Sequence, residues 1–304
     1  MTYDVQEKNT LKSWMLLFLL ALIWGSSFIL IKKGLVVFSA GEVGAYRIVS
    51  AAMVLLPLSL TRLKGLSNRQ VRNLIVAGLV GSFIPAFLFA QAQTQLSSSL
   101  TGVLNALTPL FVVLVGALFF SSRITKRNTA GLVIAFLGVL MLISISEGGG
   151  IGAWDDINGY VFYVLLATLC YGINLNIIKY WFVKLKPVEI TAISLLMVLP
   201  IALIYLFGGT SFSFKLVHEE NALEAVIYLT ILGVIGTAIA LIIFNILVKV
   251  ATPVFASSVT YLIPIVAVIW GILDGEILEA GHYLGMSAIV LGVWIGNSKS
   301  NKIT

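Results

Sequence analysis

Aromatic and polar side chains recur at helical spacing inside long apolar stretches of this sequence. Trp24, Ser27 and Phe28 are three and four residues apart, so they would share one face of a helix. Tyr171 and Asn174 repeat the first two positions after a shift of 147 residues, from 24 to 171 and from 27 to 174. If the two faces met, they would form a pocket with aromatic walls and hydroxyl or amide groups, which suits binding of a small organic molecule. The alternative is that the rings pack the interior while the polar groups join helices.

Three residues of other stretches are further candidates for this pocket. Phe89 and Gln93 lie one helical turn apart, and Phe244 corresponds to Phe89 after a shift of 155 residues. Gln93 would equally be stable in the headgroup layer of a membrane, where a glutamine needs no protein partner. The sequence leaves these two interpretations of Gln93 open.

Two prolines are expected to bend helices. Pro109 and Pro264 also correspond at the shift of 155 residues, and each lies within an apolar stretch. Proline there lacks an amide donor and displaces the hydrogen bond of the preceding turn, so a kink or hinge is expected. Asn105, one turn before Pro109, either satisfies a freed carbonyl or faces the pocket. Tyr261 is either a pocket residue or an ordinary packing aromatic.

Five charged residues lie within or beside the apolar stretches. Arg47 lies about 7 Å beyond Glu42 by helical rise, and a charge at that depth needs a partner or water. It is either a site residue or an anchor bonded to carbonyls or a carboxylate. Lys32 and Glu42 are ten residues apart, as are Lys179 and Glu189. Each lysine could pair with its glutamate across a hairpin, or extend to the lipid headgroups, as structural or gating charges.

The elements that must position these residues are membrane helices. Of 304 residues, 59% are hydrophobic and 11% are charged, whereas soluble domains are about a quarter charged. Apolar stretches long enough to span a bilayer predict an all-α integral membrane protein with ten transmembrane helices. The predicted spans are residues 13–33, 42–60, 72–93, 100–120, 128–145, 159–181, 189–207, 224–248, 254–273 and 282–297.

The two halves of the chain repeat each other. Besides the residues above, Gly78 corresponds to Gly233 at the shift of 155 residues. We call two residues that either shift relates counterparts. The halves, residues 13–145 and 159–297, are each predicted to hold five helices, so the second enters the membrane inverted relative to the first. Such halves can exchange conformations and expose one central site to either side in turn, which favours transport on physical grounds.

Basic residues predict the orientation. With cytoplasmic termini, 15 of the 19 basic residues fall on the cytoplasmic side, and only Lys32, Lys33 and Lys215 fall outside. Arg47 lies within a span and counts for neither side. We therefore expect a multi-pass protein of the cell (inner) membrane with both termini in the cytoplasm.

These motifs resemble the EamA family of the drug/metabolite transporter superfamily. The shared motifs are Trp24-Gly25-Ser26-Ser27-Phe28 with Lys32, the stretch Glu42–Arg47, Leu107-Thr108-Pro109, Asn174 to Lys179, Tyr261-Leu262-Ile263-Pro264 and Gly285 to Gly292. The resemblance covers essentially the entire chain. It implies ten helices, cytoplasmic termini, and export or exchange of metabolites such as amino acids, without implying one substrate.

The distribution of charge bears on the solute. No Asp or Glu lies near the middle of a predicted span, so coupling to protons through a buried carboxylate is not expected, and a facilitator or exchanger fits better. A permanent cation would meet no counter-charge there, which favours a neutral or zwitterionic solute such as an amino acid. A multidrug or cation exporter is the alternative within the same class.

Other functional classes fit less well. An intramembrane enzyme, the alternative of another class, would need a nucleophile with a base or a metal cluster at membrane depth, and His218 and His282 fall in or beside outer segments. The basic residues form short clusters between apolar stretches rather than a nucleic-acid-binding surface. We expect no cofactor, metal or nucleic acid, the bilayer and a small solute as partners, and a monomer.

The predicted topology is testable by single-cysteine labelling after removal of Cys170, the one native cysteine. Arg69→Cys and Lys126→Cys are expected to react only with a reagent that enters the cytoplasm. A cysteine in the 208–223 loop is expected to react with an impermeant reagent added outside. Labelling of Arg69→Cys from outside would overturn the scheme.

Overall fold

The computed structural model describes residues 11–63, 65–121, 124–143, 159–182, 185–250 and 259–297. The elements of this part of the chain are all helical. Those of the first half are α1 Leu11–Leu35, α2 Ala40–Arg62, α3 Asn68–Gly78, α4 Ile84–Ala92, α5 Ser98–Asn105, α6 Thr108–Phe119 and α7 Lys126–Ile143. Those of the second half are α8 Val161–Trp181, α9 Pro187–Gly208, α10 Phe212–His218, α11 Ala222–Gly233, α12 Ala240–Val250, α13 Val259–Leu273 and α14 Ala280–Asn297.

Seven helical stretches in the described residues are long and apolar enough to cross a membrane. They are Leu11–Leu35, Ala40–Arg62, Asn68–Ala92, Ser98–Phe119, Val161–Trp181, Val188–Gly208 and Ala222–Phe244. The apolar helices Val259–Leu273 and Ala280–Gly296 are shorter. The predicted all-α membrane protein is therefore confirmed, with seven candidate spans in the described ranges where the sequence predicts ten.

Two of these stretches change from α-helix to π-helix near their middle. The π-helical turns are Leu79–Phe83, between α3 and α4, and Val234–Ile239, between α11 and α12. Their first residues, Leu79 and Val234, are counterparts in the two halves. The sequence predicts continuous helices here, because a π-helical turn leaves no periodicity of its own. Such turns occur frequently at functional sites.

The stretch Ser98–Phe119 is interrupted in a different way. The helix stops after Asn105 and restarts at Thr108, so Pro109 lies in the first turn of α6 rather than inside a helix. Proline is well tolerated there because the amide hydrogen it lacks would have no helical partner. The Thr108 hydroxyl donates to the Asn105 carbonyl at 2.8 Å. Pro264, by contrast, is buried inside α13, as predicted.

Helices of the two halves pack against each other at corresponding positions. Helix α1 packs on α13, and α8 packs on α6. A Cβ atom added to Gly25 would meet Val266, and one added to Gly172 would meet Phe111. The two glycines are counterparts, and so are Phe111 and Val266. Such reciprocal contacts are what two repeats related by a two-fold axis would make.

Helices α7 and α14 are in extensive close contact. A Cβ atom added to Gly131 would overlap the backbone of Gly292 and Gly296, and one added to Gly138 would meet the Gly285 carbonyl at 2.7 Å. Membrane helices gain little from the hydrophobic effect when they associate, so small residues that permit close packing supply much of the attraction. Glycine at these positions therefore joins the last helix of each half.

A group of four charged residues, the charge cluster, joins α1 to the loop between α13 and α14. It consists of Lys32, Lys33, Asp274 and Glu276. The Lys32 Nζ lies 2.7 Å from Asp274 Oδ2 and 3.0 Å from Glu276 Oε1, and Lys33 pairs with Asp274. Lys32 therefore does not pair with Glu42, which was one of the two alternatives that the sequence allowed.

The carboxylate of Glu276 also holds the start of α5. It accepts hydrogen bonds from the backbone N–H and the hydroxyl of both Ser98 and Ser99, at 2.6 to 3.1 Å. A carboxylate is favourable at this position, where helical N–H groups have no partner within the helix. Burial raises the pKa of Glu276, but the hydrogen bonds from the two serines outweigh it and hold the pKa below its ordinary value.

Glu42 pairs with Lys215 rather than with Lys32. Its carboxylate accepts a hydrogen bond from Lys215 at 2.8 Å and one from the backbone N–H of Ser39 at 2.7 Å. Lys215 belongs to α10, a short helix that the sequence does not predict in the 208–223 loop. Phe212 of the same helix is buried against Phe38. The loop is thereby packed onto the ends of α1 and α2.

Gly131→Leu is expected to destabilise the protein by about 1–3 kcal/mol, because its side chain would force α7 away from α14. The measurement is thermal unfolding in detergent, with Gly208→Ala as the control, since a Cβ at Gly208 meets no atom within 4 Å. Equal melting temperatures for the two variants would contradict close contact at Gly131.

Glu276→Gln is expected to cost about 1–3 kcal/mol at about pH 7, because hydrogen bonds to a charged carboxylate are lost or weakened. Since folding lowers the pKa of Glu276, its ionised form favours the folded state above the ordinary value of about 4.3. This contribution disappears as the pH falls through the lower folded-state pKa. The difference in melting temperature from wild type should therefore shrink towards about pH 3.

Glu220→Gln is the control for this titration, because Glu220 makes the same change of charge at an exposed position in the loop before α11. It should melt like wild type throughout the pH range. A pH-independent effect of Glu276→Gln would show that the carboxylate charge is not what holds α5.

Candidate functional site

Aromatic rings from α1, α4, α8 and α12 meet inside the helix bundle. The ring centroids of Trp24 and Phe244 are 5.5 Å apart. Phe89 lies 5.8 Å from Phe28 on one side and 5.8 Å from Tyr171 on the other. The structure thus brings together aromatic residues of both halves that the sequence assigns to one pocket. Their contacts are at distances typical of attractive aromatic pairs.

Two of the predicted polar residues contact the π-helical turns reciprocally. The Asn174 amide lies against Gly81, where a Cβ would overlap it, and a Cβ at Gly236 would lie 3.1 Å from the Ser27 hydroxyl oxygen. Ser27 and Asn174 are counterparts, as are Gly81 and Gly236. Each half therefore presents a polar side chain to the wide turn of the other, beside the aromatic rings.

Arg47 points towards the second half. Its Nε donates to the Thr237 hydroxyl at 3.1 Å, and its guanidinium lies near the Tyr171 hydroxyl. Thr237 belongs to the π-helical turn and is buried. It is not among the predicted site residues, although it lies seven residues before Phe244 and so on the same helical face. The anchoring carboxylate that the sequence allowed for Arg47 is not found among the described residues.

Several buried polar atoms near these helices lack a hydrogen-bond partner in the described part of the chain. They are the Asn174 Oδ1, both polar side-chain atoms of Gln93, and the Ser194 hydroxyl oxygen. Ser194 is the counterpart of Arg47. Unpaired buried polar groups are costly, and in native proteins they are usually explained by bound water, an ion or a functional role.

Gln93 and Lys32 lie at a separate recess. Its volume is about 360 Å³, and its lining consists of Lys32, Leu35, Val36, Phe38, Ser39, Ala40, Gln93 and Thr94. Gln93 is the residue that follows α4, and its side chain is buried. The recess does not include the aromatic residues that were predicted with Gln93.

Asn105 and Tyr261 make contacts of a more structural kind. Asn105 ends α5, and its carbonyl accepts the Thr108 hydroxyl at the helix break. The Tyr261 hydroxyl reaches the Val293 carbonyl of α14 at 3.5 Å. Tyr261 also packs against the main hydrophobic core.

The remaining predicted charges, Lys179 and Glu189, do not pair with each other. Glu189 lies 3.6 Å from Arg62, and the Lys179 Nζ lies 5.1 Å from the ring centroid of Tyr180. Tyr180, the counterpart of Lys33, stacks on Phe120 at a centroid distance of 4.7 Å. The contact of Tyr180 with Phe120 thus occupies the position that corresponds to the charge cluster of the other half.

No group of three or more His, Cys, Asp or Glu residues that could hold a metal occurs within the ranges that the structure describes. What the arrangement can do chemically is bind. It offers aromatic surface, hydroxyl and amide groups and one guanidinium, and the two halves supply these groups jointly.

Comparison with known proteins agrees with this architecture. The chain is 26% identical over 290 residues to the "Uncharacterized inner membrane transporter YedA" of Escherichia coli K12, a match that covers 91% of this chain and 88% of that protein. It is 27% identical over 139 residues to the "Probable amino-acid metabolite efflux pump" of Salmonella typhimurium, or 45% of each chain. The fold is also similar to that of a protein known from a crystal structure, with a TM-score of 0.58 and 17% sequence identity. The match covers 93% of this chain and 95% of the other chain, which shows a shared fold.

The family model described as the EamA-like transporter family matches the chain twice, over residues 11–144 and 158–297. The two matches together cover most of the sequence. They coincide with the two sets of helices that contact each other reciprocally. The chain belongs to the EamA-like transporter family of the drug/metabolite transporter superfamily and is a membrane transporter.

Proposed function

We propose that this transporter moves neutral or zwitterionic small organic solutes, amino acids above all, by alternating access at a central site. The site residues are Trp24, Ser27, Phe28, Phe89, Tyr171, Asn174 and Phe244. The observation that carries the proposal is the reciprocal contact of Ser27 with Gly236 and of Asn174 with Gly81. Because each half supplies a polar side chain to the other half's π-helical turn, a solute bound there would touch both halves.

Alternating access also needs a particular arrangement in the membrane. We propose ten spans in two inverted halves, residues 13–145 and 159–297, with both termini in the cytoplasm and one chain as the working unit. In this arrangement the charge cluster closes the outer side and the contact of Phe120 with Tyr180 lies on the cytoplasmic side. Exchange of conformations between the halves would open one end as the other closes.

The chemistry of the site favours amino acids. Aromatic surface can hold an apolar body, while hydroxyl and amide groups can hydrogen-bond the polar end. None of the described carboxylates forms a contact with these residues that would serve a cationic drug. The similarity to a protein named as an amino-acid metabolite efflux pump supports this substrate class and the direction of export or exchange.

The test is flux through purified protein in sealed vesicles, with a panel of aromatic and aliphatic amino acids, nucleosides and cationic drugs. Trp24→Ala and Asn174→Ala are each expected to lower flux at least about tenfold, because they remove a wall and a polar contact of the site. Both variants should still insert into the membrane and fold.

Trp14→Ala is the matched control, since Trp14 lies on the same helix as Trp24 and is 44% exposed on the outer face of the bundle. It should transport like wild type. Normal flux in both site variants would show that the solute passes elsewhere. Uptake of cationic drugs without competition by amino acids would refute the proposed substrate class.

A further inference from the structure

Arg47 carries a partly buried charge that the protein itself leaves without an ionic partner in the described residues. Its guanidinium contacts only neutral groups there, the Thr237 hydroxyl at 3.1 Å and the nearby Tyr171 hydroxyl. Arg47 is the eighth of the 23 residues of α2, about two helical turns inside a candidate membrane span. A charge at membrane depth is costly unless it is paired or reaches water. The guanidinium has further N–H donors that these two contacts do not use.

The carboxylates that could neutralise Arg47 are engaged elsewhere. Glu42, on the same helix, is bound to Lys215. Asp274 and Glu276 are bound to Lys32 in the charge cluster, and Glu189 is bound to Arg62. The acidic residues outside the described ranges also fall outside the predicted spans. They are Asp4, Glu7, Glu147, Asp155 and Asp156.

The second half does not repeat this charge. Ser194 stands at the position corresponding to Arg47, and its hydroxyl is buried without a partner in the described residues. The backbone contacts at the two positions are nevertheless alike. The Arg47 carbonyl faces Gly233, and the Ser194 carbonyl faces Gly78. The same helix crossing therefore occurs twice, with a guanidinium at one crossing only, so Arg47 is not required for the crossing itself.

We propose that Arg47 binds the carboxylate of the transported solute, with the Thr237 and Tyr171 hydroxyls as its neighbours. This inference rests on the proposed function and narrows its substrates to solutes that carry a carboxylate. The planar guanidinium presents paired donors that match the two oxygens of a carboxylate. The solute carboxylate would supply the counter-charge that the Arg47 guanidinium does not receive from the described residues.

The position of Arg47 also ties carboxylate binding to the two halves. Arg47 belongs to the first half, whereas Thr237 and Tyr171 belong to the second. A carboxylate held among them would bridge the halves. Asn174 lies one helical turn from Tyr171 on α8 and has a buried amide oxygen without a partner among the described residues. It is the group placed to accept a hydrogen bond from an ammonium group of the same solute.

The test compares acids with their amides, in which a neutral amide replaces the carboxylate, and with their amines, in which the carboxyl group is absent. Counterflow of a labelled amino acid in vesicles is measured with phenylalanine, phenylalaninamide and phenethylamine as competitors, and with the corresponding leucine series. Wild-type protein is expected to prefer each acid over its amide and its amine by at least about tenfold, because the analogues leave the guanidinium unpaired. Arg47→Gln is expected to remove this preference and Arg47→Lys to keep part of it.

Arg62→Gln is the matched control, since Arg62 also lies on α2 but at its end, with a side chain that is 54% exposed. It should keep the wild-type preference. If Arg47→Gln does not fold, wild-type melting temperatures with each acid and its amide provide the second measurement. A larger stabilisation by the acid would support the inference, and equal stabilisation would overturn it.

The failure of this inference is distinguishable from failure of the proposed function. Transport of amides and amines as well as the acids, or wild-type preference in folded Arg47→Gln, would overturn the role of Arg47 while leaving a transporter of small solutes. If no amino acid or analogue moves or competes, the proposed substrate class fails, and the carboxylate site fails with it.

Discussion

Close approach of helix backbones at glycine is the interaction on which the arrangement of this protein depends. In a membrane, helices gain little hydrophobic energy from association, so contact must come from dense packing of small residues. Gly25 and Gly172 admit Val266 and Phe111, and Gly131 admits the backbone of α14. A larger residue at these glycine positions would push the helices apart. The aromatic rings that the two halves bring together would then also be separated.

The same kind of contact lets polar groups lie at depth. The π-helical turns at Leu79–Phe83 and Val234–Ile239 each contain a glycine that faces a polar side chain of the other half. A Cβ at Gly81 would overlap the Asn174 amide, and one at Gly236 would lie in tight contact with the Ser27 hydroxyl at 3.1 Å. Polar groups remain in the middle of the bundle because the backbone there leaves room for them. The Asn174 amide oxygen has no hydrogen-bond partner among the described residues, a stability cost that is typical of sites that act on a ligand.

The symmetry of the contacts is broken where charge is involved. Arg47 has Ser194 as its counterpart, and Lys33 has Tyr180. One end of the bundle is held by an ionic network around Glu276, and the other by stacking of Phe120 on Tyr180. An ion pair with hydrogen-bonded neighbours and an aromatic stack respond differently to pH and salt. The two ends of a similar fold are thus held by different forces.

The sequence by itself determined the class of the protein and much of the group of aromatic residues that meets inside the helix bundle. Long apolar stretches admit only membrane helices, and helical spacing places Trp24 and Ser27 on one face, which holds in any fold. The partners of the charges were decided by the tertiary structure. Spacing along one helix indicates a face but not which helix lies opposite, so Lys32 pairs with Asp274, far away in the chain, rather than with Glu42. The π-helical turns leave no periodicity in the sequence, and the contact of Arg47 with Thr237 exists only when the halves pack together.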